Sequence, residues 1–208
     1  VELQAHGHTS DRGTPLSFEQ DADDVATLLS ALHIPSADIF GFSNGASTTL
    51  ELAIRHPGLV RKIIVASTFY KKSGAQPWFF PMIGDATFEA MPAPYKKAFL
   101  DITHDTPALR LMYQRDVTRM RTFKDIPDQE VEAITAPALV ICGDKDVATP
   151  AHAVEIASRL PRARLAILPS GHGDYIGELA TLRPGATTFM GLPVILQFLS
   201  DNDPVTNH

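Results

Sequence analysis

The stretch from Asp38 to Pro57 reads DIFGFSNGASTTLELAIRHP, and how it is read decides the fold. Apolar residues run into Gly41-Phe42-Ser43-Asn44-Gly45, and a helix-like pattern begins at once. A strand, then Gly-x-Ser-x-Gly, then a helix sets the serine on a sharp turn with its hydroxyl above a sheet. The flanking glycines leave room for the backbone to bend and pack closely. A helix starting beside Ser43 aims its positive end and free N–H groups at developing negative charge. A serine hydroxyl is a weak nucleophile alone, so this reading requires a base and an orienting carboxylate elsewhere in the chain.

Outward from that stretch, strands and helices alternate. Ser17 to Ile34 is predicted helical, with Phe18, Ala22, Val25, Leu29 and Leu32 on its buried face. Ser17 and Gln20 have capping-box spacing, and Asp21, Asp23 and Asp24 are expected as solvated charges near the helix start. Asn44 to Arg55 is predicted as the next helix, stopped by His56-Pro57-Gly58. Lys62–Thr68, Ala138–Cys142 and Arg164–Leu168 are mostly apolar runs without alternation, the mark of a parallel sheet covered on both faces. A helix over His152–Leu160 takes Thr149 as N-cap and Pro150 at its first position. An apolar helix closes the pattern near Thr187–Ser200, with Pro193 delaying or kinking its start. Between Lys71 and Pro137 the sequence is broken by prolines and rich in helix formers, which predicts three or four short helices and no strand. The expected fold is therefore α/β, a mostly parallel sheet with helices on both faces, formed by residues 1–70 and 138–208 around a helical insertion at 71–137.

The 208 residues bound the function classes. A chain of this length suits one domain with an inserted subdomain and needs no disulfide or metal staple. Net charge is −6 with Lys and Arg scattered, which argues against a nucleic-acid or anionic-membrane surface. No run is long and apolar enough for a membrane span. Cys142 is the single cysteine, so an internal disulfide is excluded. No leader sequence is read, and a cytoplasmic location is the expectation.

The base and acid follow in the required order. PALVICGDKDVATP supplies a strand ending at Gly143 with Asp144 and Asp146 in the loop, and ARLAILPSGHGDYIGEL supplies the next, with His172 just beyond its end. Serine, acid and histidine then each stand at the carboxyl end of a strand. On these motifs the sequence resembles the α/β-hydrolase superfamily, specifically its lid-bearing serine esterase-like members. Gly-Phe-Ser-Asn-Gly matches the family's nucleophile elbow, Gly143–Pro150 its Gly-x-x-Asp-x-x-x-Pro acid loop, and Ser170–Gly173 its terminal Gly-His loop. The helical stretch falls where the family inserts its lid. The resemblance implies Ser43 as nucleophile, His172 as base and Asp146 as acid of a catalytic triad, with the Asn44 N–H in the oxyanion hole. Asp144, directly after the strand, is assigned local turn hydrogen bonds. Asp174 lies on the wrong side of His172 in chain order. A serine nucleophile disfavours the haloalkane dehalogenase and epoxide hydrolase branches.

The expected activity is cleavage of a small-molecule carboxylic ester, or a related acyl substrate, through an acyl-enzyme, with no cofactor and no metal. Trp78, Phe79, Phe80, Met82, Phe88 and Met91 either wall an apolar substrate pocket or form the insertion's own core. The alternative is a homologue that keeps the pocket for recognition, or a truncated inactive form. His33, His56, His104, His152 and His208 are expected at helix ends, on the surface or in the tail, without partner clusters. His6 and His8, in QAHGHTSD, resemble the family's Gly-His-Gly-x-Ser stretch and are given neither a catalytic nor a metal role. That match makes Val1–Ala5 the tail of the family's fourth strand, with its first three strands and the loop supplying the second oxyanion N–H lacking a counterpart. Loss of one such donor costs on the order of 10²–10³ in turnover. An empty strand slot leaves backbone groups unpaired at about 1–3 kcal/mol each. The expectation is a piece of a longer protein, ahead of a rearranged chain or a homodimer that fills the slot by strand exchange.

Overall fold

The computed structural model describes residues 1–182, 185 and 188–201. Its centre is a parallel sheet of four strands in the order β1 (Ala37–Phe42), β2 (Val60–Ala66), β3 (Ala138–Gly143) and β4 (Ala163–Leu168). Ile39, Ile63 and Ala138 lie in register across the first three strands, and Ala138 is opposite Ala163. All four carboxyl ends therefore open on one rim, where the connecting loops collect. Helices α1 (Phe18–Ala31), α2 (Asn44–Arg55), α6 (Asp128–Glu132) and α7 (Pro150–Arg159) cover one face. They pack Ala22, Leu50, Val131 and Ile156 against Ile63, Val65, Val140 and Cys142. The opposite side chains of the same strands, Ile64, Ala66, Leu139 and Ile141, meet Ile195 and Phe198 of α8 (Gly191–Ser200). That two-faced burial is why the strands are apolar throughout. Lys62 grips α8 at its end, its Nζ donating to the carbonyls of Phe198, Leu199 and Asp201 at 2.7–2.9 Å. Among the described residues no helix is long and apolar enough to cross a membrane.

Helix starts follow local chemistry. The Ser17 side chain accepts from the Gln20 N–H, as the spacing predicts, but Gln20 turns its amide to Asp24 and leaves the reciprocal half of the box unmade. Thr149 caps α7 through the His152 N–H. Pro193 stands in the first turn of α8, where a missing N–H is harmless, so the helix starts at Gly191. Thr187 and His208 lie outside the described residues.

Three expectations fail. Asp21 is not a solvated charge: it is 1% exposed, and its carboxylate accepts from Arg119 Nη1 at 2.6 Å. Periodicity marks the face a residue occupies, not the partner that a distant helix brings to it. Leu32 is 58% exposed because the helix ends at Ala31, and Ala26 fills the face instead. Val1–Ala5 forms turns, not a strand, with Gln4 bonded to Asp11 and to the Thr14 carbonyl. A strand exists only where a neighbour supplies ladder partners, and no described strand lies beside it.

Residues 71–137 contain α3 (Phe79–Gly84), α4 (Ala93–Thr103), α5 (Thr106–Arg121) and α6. The segment leaves and returns at one place: the Ile126 N–H donates to the Tyr70 carbonyl at 2.8 Å and the Lys72 N–H to Asp125 at 2.8 Å. Lys71 Nζ lies 2.7 Å from Asp128 across the same stem. Farther out, α5 docks by charge, with Arg115 on Asp11, Arg119 on Asp21, and Asp116 facing His6.

Candidate active site

A single residue, Ser43, joins β1 to α2, and its backbone sits at φ 53°, ψ −120°. A side chain at positive φ is strained, and the neighbours fix it there. The Ser43 N–H donates to the Ala66 carbonyl at 2.9 Å, and its own carbonyl accepts from Ala46 and Ser47 in the first turn of α2. The two flanking glycines are unequal. A Cβ on Gly41 would stand 2.2 Å from the Gly45 carbonyl oxygen and 2.3 Å from Thr49 Oγ1, so α2 can approach only a glycine. A Cβ on Gly45 would meet nothing within 4 Å. Asn44 is the first residue of α2, so its N–H has no intrahelical acceptor and faces the same helix end as the serine.

The acid comes from the loop after β3. Asp146 is 2% exposed, and its two oxygens accept four hydrogen bonds. Oδ1 takes His172 Nδ1 and the Val147 N–H, both at 2.6 Å. Oδ2 takes Ser67 Oγ at 2.5 Å and the Gly143 N–H at 3.0 Å. Burial pushes this carboxyl up, but the His172 contact, Ser67 and Gly143 outweigh it and hold Asp146 below the ordinary carboxylate range. It stays ionised in a buried place, the condition for orienting an imidazole.

His172 follows β4, and its loop is fastened to the acid loop. Asp144 accepts from the Ser170 N–H at 2.9 Å, the Lys145 N–H donates to the Ser170 carbonyl at 3.0 Å, and a Cβ on Gly143 would strike that carbonyl. Asp144 thus makes turn hydrogen bonds, as its position predicts, while Asp174 accepts from the Gly171 N–H and does not reach the imidazole. A carboxylate only accepts, so Nδ1 of His172 carries the proton and Nε2 presents its lone pair. Nε2 lies 3.2 Å from Ser43 Oγ. The Phe42 ring packs on the imidazole at 4.8 Å between centroids. Ser43, His172 and Asp146, far apart in the chain, form one hydrogen-bonded series on the rim.

Four of the six aromatic and methionine positions, Phe79, Phe80, Phe88 and Met91, pack in two apolar clusters. Phe79, Phe80 and Phe123 each meet Phe69 edge to face, and Phe80 lies tilted against Phe123. Phe88 and Met91 pack with Phe99, Leu109 and Met112, while Trp78 and Met82 are half exposed. Both clusters reach outside 71–137, the first to Phe69 and Ala148 and the second to Ala5. Of the histidines, His33 and His104 end helices with left-handed backbones, His56 faces Asp23, and His8 faces Glu2. His152 departs from expectation: it is buried, stacked on Tyr70, with Nε2 accepting from the Tyr70 N–H and Nδ1 beside Glu155. Burial, the larger effect, holds it below the ordinary imidazole range despite Glu155. Among the described residues no group of three or more His, Cys, Asp or Glu is arranged to hold a metal ion. Sequence reading missed Ser67 and Tyr175, both in contact with the acid's surroundings. The available signal for Ser67 was its place just past β2, between the strand that leads to the serine and the strand that leads to the acid.

Fold and rim together define a recognised class. The sequence profile of the alpha/beta hydrolase family matches residues 1–187, and the chain belongs to that family. It is similar to the human serine hydrolase BPHL, with 26% identity over 175 residues that cover 80% of this chain and 58% of the human protein. It is also 28% identical over 203 residues to a pimeloyl-[acyl-carrier protein] methyl ester esterase of Neisseria meningitidis serogroup C, covering 86% of this chain and 77% of that one. The chain thus spans 58% of the length of the first of these relatives. Among solved structures, the enol-lactonase from Burkholderia xenovorans superposes with a TM-score of 0.69 over 96% of this chain and 79% of that one, at 24% identity. That likeness concerns the fold.

Proposed function

We propose that the chain carries the catalytic apparatus of a serine hydrolase that cleaves carboxylic esters through an acyl-enzyme. Ser43 Oγ attacks the carbonyl while His172 Nε2 takes its proton, and Asp146 holds the imidazole's tautomer and stabilises the imidazolium. The Asn44 N–H and the positive end of α2 receive the oxyanion. The imidazolium returns the proton to the leaving alcohol. Water then repeats the sequence on the acyl-enzyme and frees the acid and Ser43. The observation that carries this reading is His172 bridging Asp146 at 2.6 Å and Ser43 at 3.2 Å. The relative named as a methyl ester esterase supports an ester-type substrate for this chain. Residues 71–137 act as a lid in this reading, supported by Tyr95 of α4, whose hydroxyl donates to Glu178 beyond the His172 loop at 2.7 Å.

The test is labelling with a fluorophosphonate probe alongside turnover of short p-nitrophenyl esters. Wild type is expected to label and turn over, and Ser43→Ala to lose both, with at least a 10³-fold fall in turnover. A folded protein that neither labels nor hydrolyses any of these esters would refute the reading.

A further inference from the structure

Asp146 is held by four donors, and they are not equivalent. The Gly143 and Val147 N–H groups belong to the acid's own loop and move with it. His172 is the group to be oriented, so it cannot also be the reference. Of these four donors, Ser67 alone comes from a loop other than those of the acid and the base, just past the end of β2. Its backbone stands at φ 55°, a strained setting for serine, with its N–H donating to the Ile141 carbonyl of β3 at 2.9 Å.

Proton counting then fixes a direction. The Asp146 carboxylate only accepts, so the one Ser67 hydroxyl proton goes to it. Ser67 Oγ is left as an acceptor, and the hydroxyl of Tyr175 lies 2.7 Å away to donate. That hydroxyl has a second, longer contact to the Ile141 carbonyl at 3.3 Å. Tyr175 comes from the turn Asp174–Ile176, directly after His172, and is 1% exposed. One chain of hydroxyls therefore ties the ends of β2 and β3 to the base's own loop.

We propose that Ser67 and Tyr175 are positioning residues, forming a directional hydrogen-bond chain that sets the rotation and charge distribution of Asp146 and through it the imidazole of His172. The inference rests on the hydrolase reading for its kinetic consequences, but not for its geometry. Without the Ser67 donor, negative charge concentrates on the carboxylate and the imidazolium is favoured. The other titratable groups facing the acid stay neutral across the working range: burial pushes the Cys142 thiol up to about 12 and raises the Tyr175 phenol.

The experiment uses the full chain, with Ser67→Ala, Ser67→Gly and Tyr175→Phe. Glycine relieves the left-handed backbone while removing the hydroxyl, so a defect shared by both Ser67 variants is not a folding effect. Turnover of p-nitrophenyl acetate is expected to fall about tenfold in kcat for both, with KM nearly unchanged, the size of one lost charge-assisted hydrogen bond. The acid limb of the kcat/KM profile is expected at higher pH. Tyr175→Phe is expected to lose about threefold and to add nothing once Ser67 is removed, because it acts through that hydroxyl. The low-field proton resonance of the His172 Nδ1–H is expected in wild type and displaced in the Ser67 variants, a readout that needs no turnover. Wild type showing the resonance and its displacement, but no labelling, would sink the hydrolase reading and leave this one standing. Folded Ser67 variants with a wild-type resonance, acid limb and kcat would overturn it, as would a wild-type protein without the resonance.

Discussion

The sheet and the docking of α5 differ in the balance of forces that hold them. In the sheet, Ile63, Val65, Val140 and Cys142 on one face and Ile64, Leu139 and Ile141 on the other are sealed under helices. At α5, Met120 packs with Phe69 and Ala148, and beside that contact stand the ion pairs Arg115 to Asp11, Arg119 to Asp21, and Asp116 to His6. Apolar burial is non-directional and shared by many residues, so the rim it supports is stiff. Ion pairs are few and directional, and each is vulnerable to the loss of one partner. Ser43, Asp146 and His172 all stand on the stiff part, and α5 is fastened to it by ion pairs that can be undone singly as well as by the apolar contact of Met120.

The largest effect that separates the two regions comes from Arg119→Ala. It strands Asp21 in a site where burial already raises that carboxyl against the pull of Arg119. The expected cost is about 3–5 kcal/mol in urea unfolding. The fraction that remains folded should still label at Ser43, and loss of labelling in that fraction would mean that the rim depends on α5.

The elbow itself supplies a sharper contrast. Gly41→Ala drives a methyl into the Gly45 carbonyl, for an expected loss of about 1–3 kcal/mol together with most of the labelling. Gly45→Ala should be neutral or slightly stabilising, because its Cβ enters open space in a helix. Equal damage from both substitutions would show that α2 does not lie where it is described.

A smaller, pH-dependent effect lies within the core. Glu51 on α2 is buried, and that burial, aided by Glu19 and Glu130, raises its carboxyl from 4.5 to about 7. A folded value above the unfolded one means the protonated form fits the fold, so its contribution is complete below pH 4.5 and is lost as pH rises through 7. Glu51→Gln should therefore be nearly silent at pH 5 and stabilise by on the order of 2 kcal/mol at pH 8.5, read from thermal midpoints. A difference that does not change with pH would show that the carboxyl is solvated.

Legibility in the sequence followed the same division. The strands, α2 and the placement of Ser43, Asp146 and His172 were readable because parallel strands are apolar along their length and because each of the three follows a strand end. The choice of Asp146 over Asp144 needed the family pattern, since both lie within one loop. Asp21 was misread because its partner, Arg119, arrives from a helix distant in the chain. His152 was misread because a helix-start position says nothing of a tyrosine ring stacked upon it. Ser67 and Tyr175 left no motif at all: a serine after an apolar run and a tyrosine after Gly-Asp are ordinary until the strand ends are brought side by side. The aromatics between Trp78 and Phe88 were readable as a group, but composition alone could not say which apolar side chains they would meet.

The stem where the Tyr70 carbonyl meets the Ile126 N–H, and Lys72 meets Asp125, carries one more implication. Because the two ends are tied to each other, a change in the exposed stretches between them leaves the stem's own bonds in place. Half-exposed positions such as Trp78 and Met82 can therefore vary without loosening the stem, whereas Arg119 and Met120, buried against the rest of the chain, cannot.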